Sequence, residues 1–359
     1  MIPKLKALLQ IFIDVICNIF TQKELILISE GFDWVIHEEC LTIKKYLETH
    51  HLASVRIATT PIGLRNKVVH FLSENTLIGP HGLRCKKGSN RFILTWFHIS
   101  DADKNRVKYI SSLNQELDYL HTASEITSEK LIQYGANPEK IIRIALDVNL
   151  NTFHSINSDE KILLRKNLGL PEKKILIGSF QKDGNGWGDG LEPKLIKGPD
   201  IFCDVVEKLA KDYPIHIVLT GPARGYVKNR LDKYNIPYTH TYLKHYEHVA
   251  QYFQAIDMYL ITSREEGGPK AIVEGMATGT PVISTRVGMV PDIITNGVNG
   301  FIVDTGDTKM IELKARQLIE SAALRKSITT AALKEVTQYS SEKMVQNFYD
   351  KMYKHLLKN

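Results

Sequence analysis

Short apolar runs alternate with longer amphipathic segments along most of the sequence, and this alternation constrains the possible fold more than any other feature. Runs such as Ile215–Thr220 and Met258–Thr262 have the length of strands, and the segments between such runs have the helical period. The alternation is typical of α/β domains with parallel sheets. Because 359 residues exceed what one ordinary compact core holds, we expect two such domains.

The predicted strands form two sets, separated by a polar stretch, Asn149–Lys173. The first set is Glu24–Ser29, Val55–Thr59, Lys67–Leu72, Arg91–His98, Glu125–Thr127 and Lys140–Ile144. The second set is Ile175–Phe180, Ile215–Thr220, Tyr238–Tyr242, Met258–Thr262, Pro281–Thr285 and Gly300–Val303. The predicted helices include Phe32–Glu48, Lys197–Lys211, His245–Ala255 and Pro269–Thr278. We therefore predict an N-terminal domain over residues 1–155 and a C-terminal domain over residues 160–338.

Charge is distributed unevenly. The formal net charge is +6, and the stretch Ala53–Ser100 alone holds seven basic residues and one acid, an equal excess. Such a stretch would face an anionic membrane or an acidic substrate, or would simply be solvated. The four cysteines form no CxxC pair and have no zinc-like spacing with histidine, so we interpret them as small apolar residues in a reducing compartment.

The first twenty residues, MIPKLKALLQIFIDVICNIF, combine two lysines with an interrupted apolar run. Gln10, Asp14 and Asn18 recur every four residues, so they lie on one face of a helix. The interruptions and the lack of a small-residue cleavage site argue against a spanning helix or a signal peptide. Two main interpretations remain: an amphipathic helix that packs on the body, or one that lies on a membrane surface.

The segment Arg264–Gly275 (REEGGPKAIVEG) has the features of an anion site at a strand–loop–helix junction. It follows the predicted strand Met258–Thr262, and Pro269 suits the first turn of a helix because its missing N–H would be unpaired there. Free amides and a partial positive charge at the start of a helix favour a phosphate. The candidate binding residues of this junction are Ser263, Gly267, Gly268, Pro269 and Lys270.

Two carboxylates, Glu266 and Glu274, flank this anion site at a spacing of eight residues. A carboxylate at Glu274 would accept two hydrogen bonds from a diol such as a ribose, and Glu266 would accept bonds from a second hydroxylated group. A phosphate between two hydroxyl-binding carboxylates describes a sugar nucleotide. The alternative is an ordinary helix start with Glu266 favouring the dipole and Glu274 on the surface.

Residues 263–303, SREEGGPKAIVEGMATGTPVISTRVGMVPDIITNGVNGFIV, resemble the donor-binding segment of retaining glycosyltransferases of family 4 (group 1), which have the GT-B fold. The E-x7-E motif of that family falls on Glu266 and Glu274. A weaker resemblance extends over residues 121–153, similar to the last strand–helix–strand before the family's hinge.

The resemblance implies an α/β protein of GT-B fold: two Rossmann-like, doubly wound parallel-sheet domains that face each other across a cleft. A final helix in residues 341–359 would pack back on the N-terminal, acceptor-side domain. A sugar would leave a nucleotide-diphosphate donor with retention of anomeric configuration and without a metal. In this reading Glu274 holds the ribose, Glu266 holds the donor sugar, and the amides of Gly267 and Gly268 lie against sugar or phosphate.

The family also uses an arginine and a lysine in the first loop and helix of the donor domain. Lys197 fits the lysine, but Ser179 or Gln181 stands where the arginine is expected, so we assign that charge to Lys182. The loop Asp183–Pro193 is longer than the family pattern and rich in glycine. It is expected either to close over the donor or to be a disordered insertion.

Two candidate residues lie in the N-terminal domain. His98 ends a predicted strand where the family has a histidine facing the reaction centre, with an ordinary structural histidine as the alternative. Gly31 stands where the family has a glycine-rich loop against the diphosphate. Asp101 and Asp103 resemble the metal-binding DxD of the other glycosyltransferase fold, but they lie in the wrong domain for the donor, and we interpret Asp101 as a helix cap.

The predicted function is transfer of a sugar from a nucleotide sugar to a glycan or lipid-linked acceptor, in cell-surface polysaccharide biosynthesis. The expected location is the cytoplasm, with peripheral contact to the inner face of the membrane through the N-terminal domain. We expect no metal, no other cofactor and no nucleic-acid partner. The alternatives are a sugar-nucleotide 2-epimerase of the same fold and a non-catalytic nucleotide-sugar binding protein. A glycosidase pair is rejected because both glutamates belong to one loop–helix corner.

Overall fold

The computed structural model describes residues 2–31, 35–99, 104–186 and 188–358. The chain divides into two compact units, Met1–Ala145 with Ser341–Asn359, and Leu146–Ser340. We call them the N-terminal unit and the C-terminal unit. Each contains a six-stranded sheet whose paired strands are all parallel, which confirms the predicted α/β architecture.

The strands of the N-terminal unit are β1 (Leu25–Ile28), β2 (Val55–Ala58), β3 (Val68–Phe71), β4 (Ile78–Gly79), β5 (Gly82–Leu83), β6 (Arg91–Thr95), β7 (Tyr119–Thr122) and β8 (Ile141–Arg143). Six of them form the parallel sheet in the order β2-β1-β3-β6-β7-β8, and β4 and β5 form a short antiparallel pair. The helices in the first part of this unit, up to Ala145, are α1 (Ile2–Phe20), α2 (Val35–Thr49), α3 (Glu74–Leu77), α4 (Lys104–Val107), α5 (Ile110–Glu116) and α6 (Glu125–Gln133).

The C-terminal unit has the strands β9 (Ile175–Ser179), β10 (Ile215–Thr220), β11 (Tyr238–Thr241), β12 (Met258–Ile261), β13 (Val282–Thr285) and β14 (Phe301–Val303), in the order β11-β10-β9-β12-β13-β14. Its helices are α7 (Ser158–Asn167), α8 (Pro199–Leu209), α9 (Gly225–Lys233), α10 (Val249–Ala255), α11 (Ala271–Ala277), α12 (Val290–Ile293), α13 (Thr308–Glu320) and α14 (Ala322–Glu335). Single 3₁₀ turns lie at Pro138–Lys140, Leu195–Lys197, Tyr246–His248 and Val336–Tyr339.

The last segment of the chain returns to the N-terminal unit. It consists of α15 (Ser341–Phe348), a π-helical turn (Tyr349–Tyr353) and α16 (Lys354–Leu357). Phe348, Met352 and Tyr353 are fully buried in one core cluster with residues of β1 and α2. The hydroxyl of Tyr353 lies 2.7 Å from His70 Nδ1, inside that unit. The segment is therefore an integral part of the N-terminal core.

The division between the units falls at Ala145 and Leu146, earlier than the predicted residue 155. The residues after Leu146 already contact the C-terminal unit. The amide of Val148 donates to Tyr339 O (2.9 Å), and the Phe153 and Phe253 rings lie 6.3 Å apart. These contacts join two distant parts of the sequence, so the polar composition of the linker did not reveal them.

One predicted strand, Glu125–Thr127, is wrong. The segment forms the start of α6, because the Ser124 hydroxyl accepts a hydrogen bond from the Thr127 amide and caps the helix. The strand at this place is β7, just before Ser124. Helix α7 was also not predicted, although Asn157 and Glu160 form a capping box that the sequence spacing encodes.

Helix α1 packs on the N-terminal unit through its polar face. Asp14 accepts hydrogen bonds from the amide and the hydroxyl of Thr59, both at 2.8 Å, and from Arg56 at 2.8 Å. Asn18 donates to the carbonyl oxygens of Thr60 (2.8 Å) and Ile62 (3.0 Å). The helix therefore lies on the body, as in the first of the two interpretations, with its polar side turned inward.

Candidate functional site

Two loops meet at the carboxyl end of the C-terminal sheet. The strand order places the switch in winding direction between β9 and β12, which is where open α/β sheets bind ligands. The loop after β9 reaches Gly198, and the loop after β12 begins at Thr262. The Thr262 hydroxyl donates to Gly198 O (2.8 Å), and the Arg264 amide donates to Ile196 O (2.8 Å). These bonds hold the two loops together at the switch point.

Two glycines allow this close approach. Gly198 has φ +63°, and a Cβ there would lie 1.9 Å from Thr262 O. Gly288 has φ +48°, and a Cβ there would lie 2.5 Å from Gly267 O. No side chain fits at either distance, and positive φ favours glycine in any case. The backbone around Glu266 is therefore fixed from both sides.

Glu266 is held by two partners in this corner. Lys197 Nζ lies 2.5 and 2.6 Å from its two carboxylate oxygens. The Ser263 hydroxyl donates to Oε1 at 2.8 Å. Two of the predicted site residues, Glu266 and Lys197, are thus in direct contact, although 69 residues separate them in the sequence.

Further lysines surround this ion pair. Burial lowers the pKa of Lys194, and the charges of Lys197 and Lys182 lower it further while Glu266 raises it. Lys197 and Lys182 are therefore close enough to Lys194 for their charges to act on its ammonium group. Such a cluster is suited to an anion with several oxygens, such as a diphosphate. Lys194 was missed from the sequence, and its position three residues before Lys197 was the signal that could have found it.

Glu274 lies on α11 and is only 4% exposed. Its Oε1 has no hydrogen-bond partner among the described residues. Burial, and then the charge of Asp147, raise the pKa of Glu274 to about 8. Lys270 Nζ lies 2.8 Å from Asp147 Oδ1, so this lysine is engaged inside its own unit. A buried carboxyl group with an unsatisfied oxygen is poised to bind a polar ligand group.

Helix α11 begins slightly later than predicted. It starts at Ala271, with Lys270 as its N-cap, and Pro269 precedes it and accepts a bond from the Ile272 amide (3.0 Å). Pro269 therefore forms the approach to the helix. Gly267 is buried and Gly268 is partly exposed, directly before this turn.

The segment in which the family arginine is expected is held by a different arginine, Arg224, through hydrogen bonds to its backbone. Arg224 is fully buried, and its Nη1 donates to Ser179 O (2.8 Å) and Gln181 O (2.5 Å). Its Nη2 lies 3.0 Å from Asp183 Oδ2, and burial raises the pKa of Asp183 to about 6. Arg224 comes from the loop after β10, so sequence proximity gave no signal for this role. It holds the backbone of the loop that carries Lys182.

The described residues of the glycine-rich loop 183–193 are ordered against α9. The Gly225 amide donates to Asp189 O (2.6 Å), and the Tyr226 amide donates to Gly190 O (2.9 Å). The loop, the turn after β10, the start of α9 and the end of β11 line a cavity of about 440 Å³, whose wall includes Arg224, His240 and Tyr242. This volume is within the range of small-molecule sites. Of the two expectations for the loop, a disordered insertion does not fit these contacts. Trp187 lies outside the described residues.

The two candidates from the N-terminal unit, His98 and Gly31, both lie in loops. His98 is exposed and lies beyond the end of β6 at Thr95, so its predicted place at a strand end is wrong. The chain leaves the strand early because the Trp96 indole donates back to His98 O (3.0 Å). Gly31 has φ +78° and follows β1. Asp101 and Asp103 lie outside the described residues.

Within the described parts of the chain, no group of three or more His, Cys, Asp or Glu side chains is arranged to hold a metal ion. The cysteines in those parts are free thiols. Among the residues that the structure covers, no helix has the length and apolar character needed to cross a membrane.

The part of the chain that carries this site is similar to known proteins. Residues 191–335 match the family Glycosyl transferases group 1. Over 272 residues the chain is 24% identical to the N-acetyl-alpha-D-glucosaminyl L-malate synthase of Bacillus anthracis, covering 71% of this chain and 69% of that protein. It is 31% identical over 154 residues to the uncharacterized glycosyltransferase MJ1178 of Methanocaldococcus jannaschii, covering 42% of each chain. The matches to further relatives also span about half of their length, for example 53% of the D-inositol 3-phosphate glycosyltransferase of Corynebacterium diphtheriae.

Solved structures show the same fold. Anabaena Alr3699/HepE in complex with UDP-glucose superimposes with a TM-score of 0.74 at 17% identity, covering 93% of this chain and 100% of that one. Sucrose-phosphate synthase from Thermosynechococcus elongatus superimposes with a TM-score of 0.68. The chain has the GT-B fold. Residues 191–335 belong to the glycosyl transferases group 1.

Proposed function

We propose that this protein transfers a sugar from a nucleotide-diphosphate sugar to a glycan or lipid-linked acceptor, with retention of configuration, in the biosynthesis of cell-surface polysaccharide. One observation carries the proposal. Around a single strand–loop–helix junction the chain carries, in order, Glu266 with its ion-pair partner Lys197, the turn at Gly267 and Gly268, and the buried carboxyl group of Glu274 on α11. That arrangement matches the sequence of groups in the donor: sugar, diphosphate, ribose.

Each group has a partner of suitable chemistry. The Glu274 carboxyl group, buried with one unpaired oxygen, binds the ribose diol. Lys197, Lys194 and Lys182 bind the diphosphate and stabilise the charge that develops on it as the glycosidic bond breaks. Glu266 and the amides of Gly267 and Gly268 hold the sugar. In this proposal, donor binding exchanges the Lys197–Glu266 ion pair for a lysine–phosphate contact.

UDP-sugars are the first donors to test, since the similar HepE structures contain UDP and UDP-glucose. The proposed location is the cytoplasm, with the N-terminal unit in peripheral contact with the inner face of the membrane. We propose that no metal ion takes part, so EDTA is expected to leave the rate unchanged.

A thermal-shift screen of UDP-, GDP- and ADP-sugars tests the donor site. One nucleotide class should raise Tm in a concentration-dependent way, because a ligand that binds only the folded state stabilises it. Glu274→Ala should abolish most of the shift. Glu247→Ala, an exposed glutamate of the same unit, is the matched control. A chain whose Tm responds to none of these compounds has no donor site of this kind.

Transfer itself is tested with the donor found in that screen and a lipid extract. Glu266→Ala should lower kcat by about a hundredfold or more with a smaller change in nucleotide affinity. If kcat is unchanged and affinity falls instead, the roles of Glu266 and Glu274 are exchanged. Formation of an isomeric sugar nucleotide without any acceptor would point to the epimerase, and tight donor binding without any product would point to a binding protein.

A further inference from the structure

Helix α1 presents apolar side chains to solvent on its outer face between Leu8 and Phe20. Eight large apolar residues of this helix are between 39% and 75% exposed. They are Leu8, Leu9, Ile11, Phe12, Ile13, Ile16, Ile19 and Phe20. A soluble monomer rarely leaves so many contiguous apolar side chains in water, and such a patch usually marks an interaction surface.

The orientation of the helix is fixed by its polar side. Asp14 and Asn18 are each 2% exposed. Their six hydrogen bonds to Arg56, Thr59, Thr60 and Ile62 hold the polar side of α1 inward and its apolar side outward. The exposed face is therefore a property of the folded N-terminal unit.

The apolar side chains form one continuous arc. At about 100° per residue, all of them except Ile11 lie within about 140°, centred opposite Asp14. Nineteen residues of helix extend about 28 Å along the surface. Ile62, which is 56% exposed and whose carbonyl binds Asn18, adds to the edge of this arc. We call this surface the α1 face.

The charges around the α1 face are positive. The helix sequence contains Lys4, Lys6 and a single acid, Asp14, which is neutralised by Arg56 at 2.8 Å. Lys6 is exposed. Arg65 is exposed two residues beyond Gly63, whose backbone lies against α1. An apolar face bordered by cations complements a surface that is apolar inside and anionic outside.

The shape of the α1 face favours a lipid surface over a protein. It is a convex rod, and a protein partner would need a groove lined with apolar residues to cover it. The interfacial layer of a bilayer deforms around a helix and accepts aromatic and aliphatic side chains to a depth of about 5–10 Å.

We propose that the α1 face binds the surface of an anionic lipid bilayer, with the helix parallel to the membrane plane and the arc from Leu8 to Phe20 inserted at the headgroup–acyl boundary. The inference assigns the membrane contact of the proposed function to a specific surface. It rests on the proposed function only for the biological role of that contact. Held in this way, the N-terminal unit would meet acceptors that are anchored in the same membrane.

Vesicle flotation with the full chain tests the proposal. The protein should float with vesicles of phosphatidylglycerol and phosphatidylcholine, and less with phosphatidylcholine alone. Replacing Leu9, Phe12 and Phe20 together by glutamine should lower the partition coefficient at least about tenfold, because each loses the burial of a large apolar side chain. The matched control is Ile162→Gln with Leu163→Gln, two exposed apolar residues of α7 in the other unit.

A second measurement reports insertion directly. Phe12→Trp should show a blue-shifted fluorescence difference spectrum with anionic vesicles and quenching by brominated lipids. Leu163→Trp should show neither. Because all substituted side chains are exposed, the variants are expected to keep the wild-type Tm and its shift with donor.

The outcomes are distinct. Failure of the wild-type chain to float, or equal flotation of the triple variant, overturns the proposal. If sedimentation shows a dimer that the triple variant converts to a monomer, without vesicle binding, the α1 face is a contact between copies and the proposal is wrong. Vesicle binding without any effect of nucleotide sugars on Tm would retain this inference while the proposed function fails.

Discussion

Glu266 and Glu274 lie in one loop–helix corner but have opposite surroundings. Glu266 is neutralised by Lys197 and hydrogen-bonded by Ser263. Glu274 is buried, with an unpaired oxygen and the charge of Asp147 nearby. The first carboxylate is stabilised in its charged form, and the second is destabilised in that form. The folded chain thus holds one carboxylate in an ion pair and one buried carboxyl group with an unpaired oxygen.

The raised pKa of Glu274 predicts a specific pH dependence of stability. Below its usual pKa of 4.5 the carboxyl group is neutral in both the folded and the unfolded chain, so its ionisation does not affect the free energy of unfolding. Between that pH and about 8 the unfolded chain loses the proton and the folded chain keeps it, so the free energy of unfolding falls as pH rises. Above about 8 the cost is constant.

Glu274→Gln should remove this dependence. Relative to the wild type, the variant should gain stability between about pH 5 and about pH 8, by roughly 2–4 kcal/mol at the upper end. Urea denaturation without nucleotide at several pH values measures the difference, with Glu247→Gln as the control. A difference that does not vary with pH would mean that Glu274 is ionised in the folded chain at all these pH values.

At the residue scale, the sequence revealed the candidates that lie within one motif and missed a residue whose contacts are made across loops. The spacing of Glu266 and Glu274 identified both candidates, because local order places them in one strand–loop–helix junction. Lys197 was found through the family pattern. Arg224 was not found, because its contacts with Ser179, Gln181 and Asp183 cross from one loop to another.

At the scale of elements, the conformation of the loop 183–193 depends on its close contact with the chain at the start of α9. Gly190 has φ +72°, and a Cβ there would lie 2.3 Å from Ala223 O. Gly188, in the same loop, has no atom within 4 Å of its Cβ position. The two glycines therefore form a matched pair.

Gly190→Ala should separate the loop from α9 and destabilise the C-terminal unit by about 1–3 kcal/mol. Gly188→Ala should be close to neutral. Thermal unfolding gives the stabilities, and limited proteolysis should cut the loop faster in Gly190→Ala only. Equal behaviour of the two variants would show that contact with α9 does not order the loop.

Elements were predicted best where a single segment determines them. The alternation of apolar runs placed the six strands of the C-terminal sheet to within a few residues. The prediction failed at Glu125–Thr127, where a capping serine outweighs β-branched composition, and at the polar helix α7, where there is little apolar periodicity to detect.

At the scale of the whole molecule, the N-terminal unit is assembled from both ends of the chain. Val345, Phe348, Met352 and Tyr353 are fully buried in its core, although residues 146–340 separate them from the rest of the unit in the sequence. Tyr353 also hydrogen-bonds His70, a fully buried histidine whose pKa burial holds well below its usual range. Folding of this unit therefore requires the last segment.

Truncation after Ser340 should unfold the N-terminal unit, since loss of four buried side chains costs more than about 5 kcal/mol, comparable to the stability of a domain. The C-terminal unit should stay folded. Calorimetry should show one remaining transition that still shifts with the nucleotide sugar. Truncation after Leu357 is the control. Two intact transitions after the longer truncation would contradict this account of the core.

The sequence alone determined the α/β class, the two domains and the corner that carries Glu266 and Glu274, because periodicity and short-range spacing are set within one segment. The tertiary structure decided which distant groups meet: Lys197 with Glu266, and Arg224 with the loop after β9. It also decided the direction of α1. A helical period shows that one face is polar, but Asp14 turns inward because Arg56 and Thr59, more than forty residues away, supply its hydrogen bonds. Such long-range partners exist only once the sheet has formed.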